Sequence, residues 1–125
     1  MKPTFLVVQT EVGEHIEPRQ LFNTLSVKIT NDLLSNFEFA NCSELHLEDR
    51  VANEELLIYV IDDGKSNSVL KSTYEITTVG FFAKGVEIFK LEGLNECSCD
   101  TAITVCLKAY NKHVEENYPR KVRIK

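Results

Sequence analysis

Four cysteines are the residues of this chain with the widest chemical repertoire, and three of them lie within ten positions. The stretch LNECSCDTAITVC, residues 94–106, holds Cys97, Cys99 and Cys106, while Cys42 lies far upstream. A structural zinc site needs four tetrahedral ligands, usually supplied as two close pairs. The sequence has no Cys-x-x-Cys and no His-x₃₋₅-His motif, although His113 makes a Cys₃His set conceivable. The spacing therefore favours free thiols over a metal site.

The residues that follow predict an amphipathic helix over about 100–117. Asp100 is a favourable N-cap residue. Apolar side chains then recur at helical spacing: Ile103, Cys106, Leu107, Tyr110 and Val114. Cys106 falls on this stripe, where a free cysteine behaves as a small hydrophobic residue. Cys99 lies just before the helix, whose dipole would lower its thiol pKa, so a reactive thiol there is a secondary hypothesis.

The stretch DDGKSNS, residues 62–68, contains a Gly-Lys-Ser fragment of a phosphate-binding loop. The full motif needs a glycine five positions before its Gly-Lys pair, and Tyr59 occupies that position. The stretch also joins two predicted strands rather than a strand and a helix. We therefore interpret it as a turn, with Asp62 and Asp63 as solvated turn residues.

No catalytic motif is recognisable among the remaining polar residues. The histidines are scattered at positions 15, 46 and 113. A carboxylate must be buried among apolar residues for its pKa to rise enough for acid-base catalysis, and the acidic residues of this chain lie in polar surroundings. They include Glu48, Asp49, Glu54, Glu55, Asp62, Asp63, Glu115 and Glu116. We therefore predict a protein that is not an enzyme and uses no cofactor.

The stretch TTVGFFAKGVEIFKL, residues 77–91, is the most aromatic part of the chain. Phe81 and Phe82 are adjacent, so they cannot both point inward on a regular strand. We expect two of the three phenylalanines to be core residues and the strand end to contribute to an apolar binding surface. The predicted partner-binding residues are Phe81, Phe82, Phe89, Asp62, Asp63, Glu54 and Glu55.

The 125 residues fit one domain, large enough to fold without a metal or a disulfide. With 43% apolar and 26% charged residues, the composition is that of a globular protein. The net charge of -5 would repel nucleic acid and anionic lipid, so neither is a predicted partner, whereas a basic protein is compatible with it. The chain could also form a homo-oligomer.

The first ten residues carry a short apolar run, 5–8, followed directly by polar residues. This run is too short for a secretory signal or a membrane span, so it predicts a first strand over residues 5–9 and a cytoplasmic protein. A reducing compartment agrees with free cysteines.

Further strands are predicted over 44–50, 56–61, 69–82 and 86–91, with KVRIK (121–125) as a possible final strand. The runs 56–61 and 69–82 should pair as an antiparallel hairpin. The apolar residues within 18–36 fit both the helical and the strand spacing. We favour a helix over 18–24 and leave a strand open for 25–30. The predicted fold is α+β, an antiparallel sheet of four to five strands with one or two helices on one face.

The order of these features resembles the SecB family of export chaperones. Gly80-Phe81-Phe82 is similar to the element that ends the family's strands, TAITVCLKAY (101–110) to its long helix, and YPRKVRI (118–124) to its tail. LSVKITNDLLSNFEF (25–39) is similar to the family's first strand. The resemblance covers about residues 25–125. It implies ATP-independent holding of non-native polypeptide in apolar grooves, usually by a tetramer.

Two hypotheses follow for function. The first is a non-enzymatic, cytoplasmic protein-binding module of SecB-like type. The second is a small acidic immunity or antitoxin protein that neutralises a basic toxin or nuclease, because an acidic surface steers association with a basic partner.

Overall fold

A computed structural model of the protein describes residues 2–9, 25–62, 76–95 and 98–118. One sheet contains five strands: β1 Thr4–Gln9, β2 Glu38–Ser43, β3 Leu56–Asp62, β4 Ile76–Ala83 and β5 Val86–Leu91. The helices are α1 Val27–Asn36, α2 Leu47–Asn53 and α3 Cys99–Asn117, and a short 3-10 turn, Glu44–His46, precedes α2. The predicted α+β class is confirmed.

The sheet has the strand order β2-β1-β3-β4-β5 and is mixed. β1 is parallel to both β2 and β3, whereas β3, β4 and β5 form an antiparallel meander. The prediction of a purely antiparallel sheet is therefore wrong for the N-terminal half. Parallel neighbours need a crossover connection, and α1 and α2 supply one each, whereas the two-residue turn between Ala83 and Val86 reverses the chain directly.

The described helices number three and lie on both faces of the sheet, which corrects the prediction of one or two helices on one face. The chain steps outward from β1 to β2 through α1 and returns past β1 to β3 through α2. Two right-handed crossovers that run in opposite directions must use opposite faces of the sheet. Leu33 of α1 accordingly packs with one apolar cluster, and Leu47 of α2 packs with the other.

Residues 25–30 do not form a strand: Val27 to Thr30 belong to α1, and Leu25 and Ser26 directly precede it. Leu25, Leu33 and Phe37 are buried and Ile29 is partly buried, which gives one helical stripe at four-residue spacing. A strand would have placed Val27 on the same face as Leu25, but Val27 is 76% exposed. The predicted helix over 18–24 lies outside the described residues.

The segment ELHLEDR, residues 44–50, is a 3-10 turn followed by the start of α2, so its prediction as a strand is wrong. The alternation of Leu45 and Leu47 is misleading, because Leu45 is 82% exposed. Leu47 and Val51, four residues apart, pack against the sheet instead. A helical connection is what the parallel pairing around β1 requires.

The strongest predictions of individual elements are confirmed. β5 matches its predicted strand, and β1 and β3 each extend theirs by one residue. β3 pairs with β4 as the predicted antiparallel hairpin. α3 begins one residue before the predicted helix. Residues 69–75 and 121–125 lie outside the described part, and within that part no helix is long and apolar enough to cross a membrane.

The two faces of the sheet bury clusters of different size. The main face, under α1 and α3, carries the larger set of buried side chains, here called the main core: Phe5, Val7, Leu25, Leu33, Phe37, Ile58, Val60, Ile76, Val79, Phe81, Ala83, Cys99, Ala102, Ile103 and Cys106. The minor face, under α2, carries the minor cluster: Leu6, Val8, Leu57 and Tyr59. Alternation along β1 and β3 assigns successive residues to the two faces.

Candidate functional site

Helices α1 and α3 lie side by side on the main face and meet at two points. At one point the backbone N–H of Ser26 donates a hydrogen bond to Oδ1 of Asp100 at 3.2 Å. At the other, the ring centroids of Phe37 and Tyr110 lie 5.4 Å apart. Ten helical residues advance about 15 Å, which matches both the length of α1 and the distance along α3 from Asp100 to Tyr110. The two helices therefore run in the same direction.

Asp100 is not the N-cap predicted from the sequence. Ser98 occupies the position before α3, and its hydroxyl exchanges hydrogen bonds with Asn95. Asp100 lies in the first turn, where its carboxylate binds the backbone of Ser26 instead. Ser26 is the N-cap of α1, because its Oγ accepts a hydrogen bond from the N–H of Ile29 at 3.3 Å.

A groove of about 1060 Å³ lies between these helices and extends past them to the first residue of β3. It is here called the helix groove. Its α1 wall comprises Ser26, Lys28, Ile29, Asp32 and Asn36, and its α3 wall comprises Thr104, Leu107, Lys108, Tyr110, Asn111, Val114 and Tyr118. Its third side, here called the sheet end, comprises Lys2, Pro3, Phe37, Glu54, Glu55 and Leu56.

The apolar lining of the groove is continuous with the main core. Ile29, Leu56, Leu107 and Tyr110 are partly buried side chains that pack against the main core and also line the groove. Their inner surfaces contribute to folding, while their outer surfaces stay open to solvent. A concave apolar surface with polar residues around it is the usual form of a binding site.

Charged and aromatic side chains meet at the sheet end. Arg50 of α2 forms an ion pair with Glu54 at 3.4 Å. Tyr118 and Glu55 both line the groove here, and the Glu55 carboxylate helps to raise the pKa of Tyr118. The Nζ atom of Lys84 lies 5.6 Å from the centroid of the Tyr118 ring, and its backbone N–H donates to the carbonyl of Glu55 at 2.8 Å. The turn between β4 and β5 thus helps to hold Tyr118 in place.

Both tyrosines of the groove stay protonated and so remain hydrogen-bond donors near neutral pH. Burial is the main cause that raises the pKa of Tyr110, with Tyr118 as a second cause. Burial also raises the pKa of Tyr118, and the nearby Glu55 carboxylate adds to the effect. A tyrosine pairs an apolar ring with a polar hydroxyl, which suits recognition of another molecule.

The three predicted aromatic residues lie in different environments. Phe81 is fully buried in the main core, with the rings of Tyr110 and His113 packed edge-on against it. Phe82 points to the minor face, where its ring lies 5.3 Å from that of Tyr59. Phe89 is partly buried against the main core. None of the three lines the helix groove.

The predicted acidic residues also separate. Glu54 and Glu55 lie together at the sheet end of the helix groove. Asp62 is only 3% exposed, so its prediction as a solvated turn residue is wrong. It is the last residue of β3 and pairs with Ile76 at a register shift, which keeps it within the sheet. Asp63 lies outside the described residues.

The described cysteines are free thiols. Cys106 is fully buried on α3, as predicted, and its Sγ lies 3.7 Å from the carbonyl oxygen of Gly80. Burial raises the pKa of Cys106 to about 12. The hypothesis of a lowered pKa at Cys99 is wrong, because this residue is 1% exposed and burial, with a contribution from Asp100, raises its pKa to about 11. Burial also raises the pKa of Cys42.

Within the described ranges, no group of three or more His, Cys, Asp or Glu side chains is placed to hold a metal ion. Cys97, one member of the conceivable Cys₃His set, lies outside those ranges. His113 contacts Phe81 and the side chain of Asn117 rather than a cluster of thiols.

Sequence reasoning missed most of the helix groove. Leu107, Tyr110 and Val114 were recognised as an apolar stripe, but a stripe shows only that one helical face is apolar. α1 and α3 meet through residues far apart in the sequence, such as Ser26 and Asp100, which are 74 positions apart. No local pattern reports such a contact.

Inference about the function of this chain rests on its fold and on the helix groove, because comparisons with known proteins found no match. No family model, no curated protein sequence and no solved structure matches the chain.

Proposed function

We propose that this chain is a non-enzymatic, cytoplasmic protein-binding module that holds a segment of another polypeptide in the helix groove. One observation carries the proposal. Ile29, Leu56, Leu107 and Tyr110 present the outer part of the main core to solvent inside a groove of about 1060 Å³.

The composition of the groove supports a protein as its occupant. Protein interfaces combine an apolar, aromatic centre with a polar rim, and tyrosine is enriched among the residues that contribute most to affinity. Here Tyr110 and Tyr118 accompany aliphatic side chains, and the rim carries both lysines and carboxylates. The free thiols of the described cysteines are in keeping with a cytoplasmic location.

The SecB-like interpretation stays a prediction and belongs to the same class of activity. A chaperone of that type would accept many non-native segments, and a homo-oligomer would offer several grooves to one chain. Multiple weak sites on one assembly raise the overall affinity through effective concentration. Solution mass together with binding to unfolded chains would therefore distinguish this version from a monomer with one dedicated partner.

The test places a tryptophan inside or outside the groove on adjacent residues of α3. Asn111 is exposed and lines the groove, so Asn111→Trp should fill it. Lys112 is exposed and does not line the groove, so Lys112→Trp is a matched control. The probe is a fluorescently labelled protein kept unfolded by reduction and carboxymethylation, and the measurement is fluorescence anisotropy.

We expect the wild-type protein and Lys112→Trp to bind this probe alike and Asn111→Trp to bind it at least about tenfold more weakly, a loss near 1.4 kcal/mol. Circular dichroism spectra and unfolding curves should show that both variants are folded. Equal binding by the two variants, or no binding by the wild-type protein, would contradict the proposed function.

A second candidate function, inhibition of a basic toxin or nuclease, has its own observation. Glu44, Glu48 and Asp49 are exposed around α2, and Leu45 beside them is 82% exposed. This surface lies on the opposite side of the sheet from the helix groove. Co-purification from the native host and mass spectrometry would test it. A single basic partner, with an association rate that falls steeply as salt increases and does not change in Asn111→Trp, would favour this candidate.

A further inference from the structure

The edge strand β5 combines open main-chain groups with exposed apolar side chains. Val86 is 60% and Ile88 42% exposed, whereas the apolar side chains of β2, the other edge strand of the described sheet, are partly buried. An edge strand leaves the N–H and C=O groups of every second residue without a partner strand, which makes it a template for another chain. β5 is therefore the edge of this sheet at which a further strand would bury the most apolar surface.

The turn between β4 and β5 determines which main-chain groups of β5 point outward. Its two residues, 84–85, have φ values of 50° and 80°, as in a type I′ hairpin turn. Such a turn is closed by a hydrogen-bonded pair, which here is Ala83 with Val86. The next pair, Phe82 with Glu87, is then a non-hydrogen-bonded pair. The N–H and C=O groups of Glu87 consequently point away from β4.

A β-bulge changes the spacing of the outward groups along β5. Ile88 is an extra residue without a partner on β4, because the register shifts between Phe81 and Phe82. Lys90 faces the residue of β4 two positions before Phe82, so it occupies the next non-hydrogen-bonded position and its main-chain groups also point outward. The outward groups lie at Glu87 and Lys90, three residues apart, where a regular strand has them two apart.

The side chains of Glu87 and Lys90 are exposed and point to the minor face. Glu87 pairs with Phe82, whose ring lies on that face, and Lys90 pairs with Gly80, two residues away on the same side of β4. Within one chain, Lys90 forms an ion pair with Glu92 at 3.3 Å. An ammonium group has three donors, so Lys90 can bind a second carboxylate as well.

These features of β5 are self-complementary in one antiparallel register. When Glu87 lies opposite Lys90 of a second copy, two-fold symmetry places Lys90 opposite Glu87 of that copy. The outward main-chain groups then match, because both strands have the same three-residue spacing, and opposite charges face each other at both positions. A strand without a bulge would match only one of the two positions. The partner strand that fits is therefore another β5.

Other ways of pairing two copies of β5 are less favourable. A parallel pairing places Glu87 beside Glu87 and Lys90 beside Lys90. An antiparallel pairing shifted by one residue places side chains of opposite faces together. Charges on an edge strand commonly prevent pairing, and charges of one sign would repel a second copy. The two opposite charges of β5 instead favour a second copy in the single register described above.

We propose that two copies of this protein associate through β5, so that their sheets join into one sheet across a two-fold axis. Glu87 of each copy pairs with Lys90 of the other, and Ile88 lies beside Phe89 of the other between these pairs. Six residues per strand make a small contact, so we expect a dimer that dissociates on dilution. This inference does not rest on the proposed function, because no residue of β5 lines the helix groove.

The test is sedimentation equilibrium of the full chain over a range of protein concentrations at low ionic strength. A reducing agent excludes disulfides between copies. The variants are Glu87→Lys, Lys90→Glu and the double variant Glu87→Lys/Lys90→Glu. Glu48→Lys and Lys112→Glu are matched controls, since they make the same changes of charge at exposed residues of α2 and α3. Circular dichroism checks that each variant is folded.

We expect the mass of the wild-type protein to rise with concentration from 14.2 kDa toward twice that value. Each single reversal on β5 should weaken the dimer at least about tenfold, because two attractive pairs become two repulsive ones. The double variant and both controls should dimerise within about threefold of the wild type. An equimolar mixture of the two single variants should also form dimers, because one strand then carries two positive charges and the other two negative ones.

Three results would overturn the inference. The first is a wild-type protein that stays monomeric up to about 1 mM. The second is a dimer that neither single reversal weakens, since its contact would lie outside β5. The third is a double variant that stays monomeric although the two single variants combine on mixing, because the strands would then meet in a different register. Binding of the unfolded probe in the helix groove is measured separately, so none of these results decides the proposed function.

Discussion

The two faces of the sheet bury their apolar side chains in different ways. The main face buries a large cluster under two helices that touch each other at both ends of α1, and it leaves a groove between them. In the described part of the chain, the minor face buries a cluster of four apolar residues under α2, a helix of seven residues that begins without a side-chain cap. Most of the stability should therefore come from the main face, although its helices also leave the apolar surface on which binding is proposed.

Adjacent phenylalanines of β4 give the most direct comparison of the two faces. Phe81 is fully buried in the main core, whereas Phe82 is partly exposed on the minor face. Phe81→Ala should lower the free energy of unfolding by about 3–5 kcal/mol, and Phe82→Ala by roughly half as much or less. Urea unfolding followed by circular dichroism measures both. Equal losses would show that the minor face contributes as much as the main one.

Gly80 tests how closely the minor cluster is packed. The ring of Tyr59 lies where a Cβ atom at residue 80 would be, so Gly80→Ala forces the ring to move. We expect a loss of about 1–3 kcal/mol, typical of overpacking. In a Tyr59→Ala background the same substitution should be nearly neutral, because the ring is gone. If Gly80→Ala costs the same in both backgrounds, the ring contact is not the cause.

The buried thiols of the main face predict a loss of stability in alkali. Burial in the folded protein raises the pKa of Cys99 to about 11 and that of Cys106 to about 12, above the ordinary value of 9.0. Above pH 9 the unfolded chain loses these protons while the folded protein keeps them. Stability is thus complete below about pH 9 and falls as the pH rises toward 11, by at most about 1.4 kcal/mol per pH unit for each thiol.

Unfolding curves at pH 7, 9 and 10.5 measure this loss, and Cys106→Ala should reduce the alkaline slope whatever its effect at pH 7. Iodoacetamide labelling of the native protein, with peptide mapping by mass spectrometry, checks the same point. Cys99 and Cys106 should react far more slowly than in the unfolded chain. An unchanged slope in Cys106→Ala would remove this thiol as a cause.

The elements that sequence patterns predicted well are those decided by local burial. β3 is an apolar run of strand length, and the stripe of α3 with Cys106 inward follows helical spacing. The wrong predictions concern segments whose structure is decided by contacts with residues far away in the sequence. Leu45 and Leu47 alternate as in a strand, but the parallel pairing of β1 with β2 and β3 imposes helical connections.

The candidate site was predictable only in part for the same reason. Glu54 and Glu55 were selected as surface charges, and they do lie at the groove. Their neighbour Tyr118 is more than sixty positions away in the sequence, and the turn residue Lys84 holds its ring from a third segment. A site assembled from several distant segments has no spacing that a motif could record.

The smallest predicted effect concerns the start of α1, where the contact between the two main-face helices begins. The Oγ atom of Ser26 caps the N–H of Ile29, so Ser26→Ala should cost about 1 kcal/mol. His46, at the equivalent position before α2, makes no side-chain cap, so His46→Ala should cost within about 0.5 kcal/mol of zero. Unfolding curves compare the two variants directly.

Since the backbone N–H of Ser26 remains, Ser26→Ala should keep the bond to Asp100 and hence the groove. Loss of probe binding without loss of folding would show that the cap shapes the groove as well as stabilising the helix.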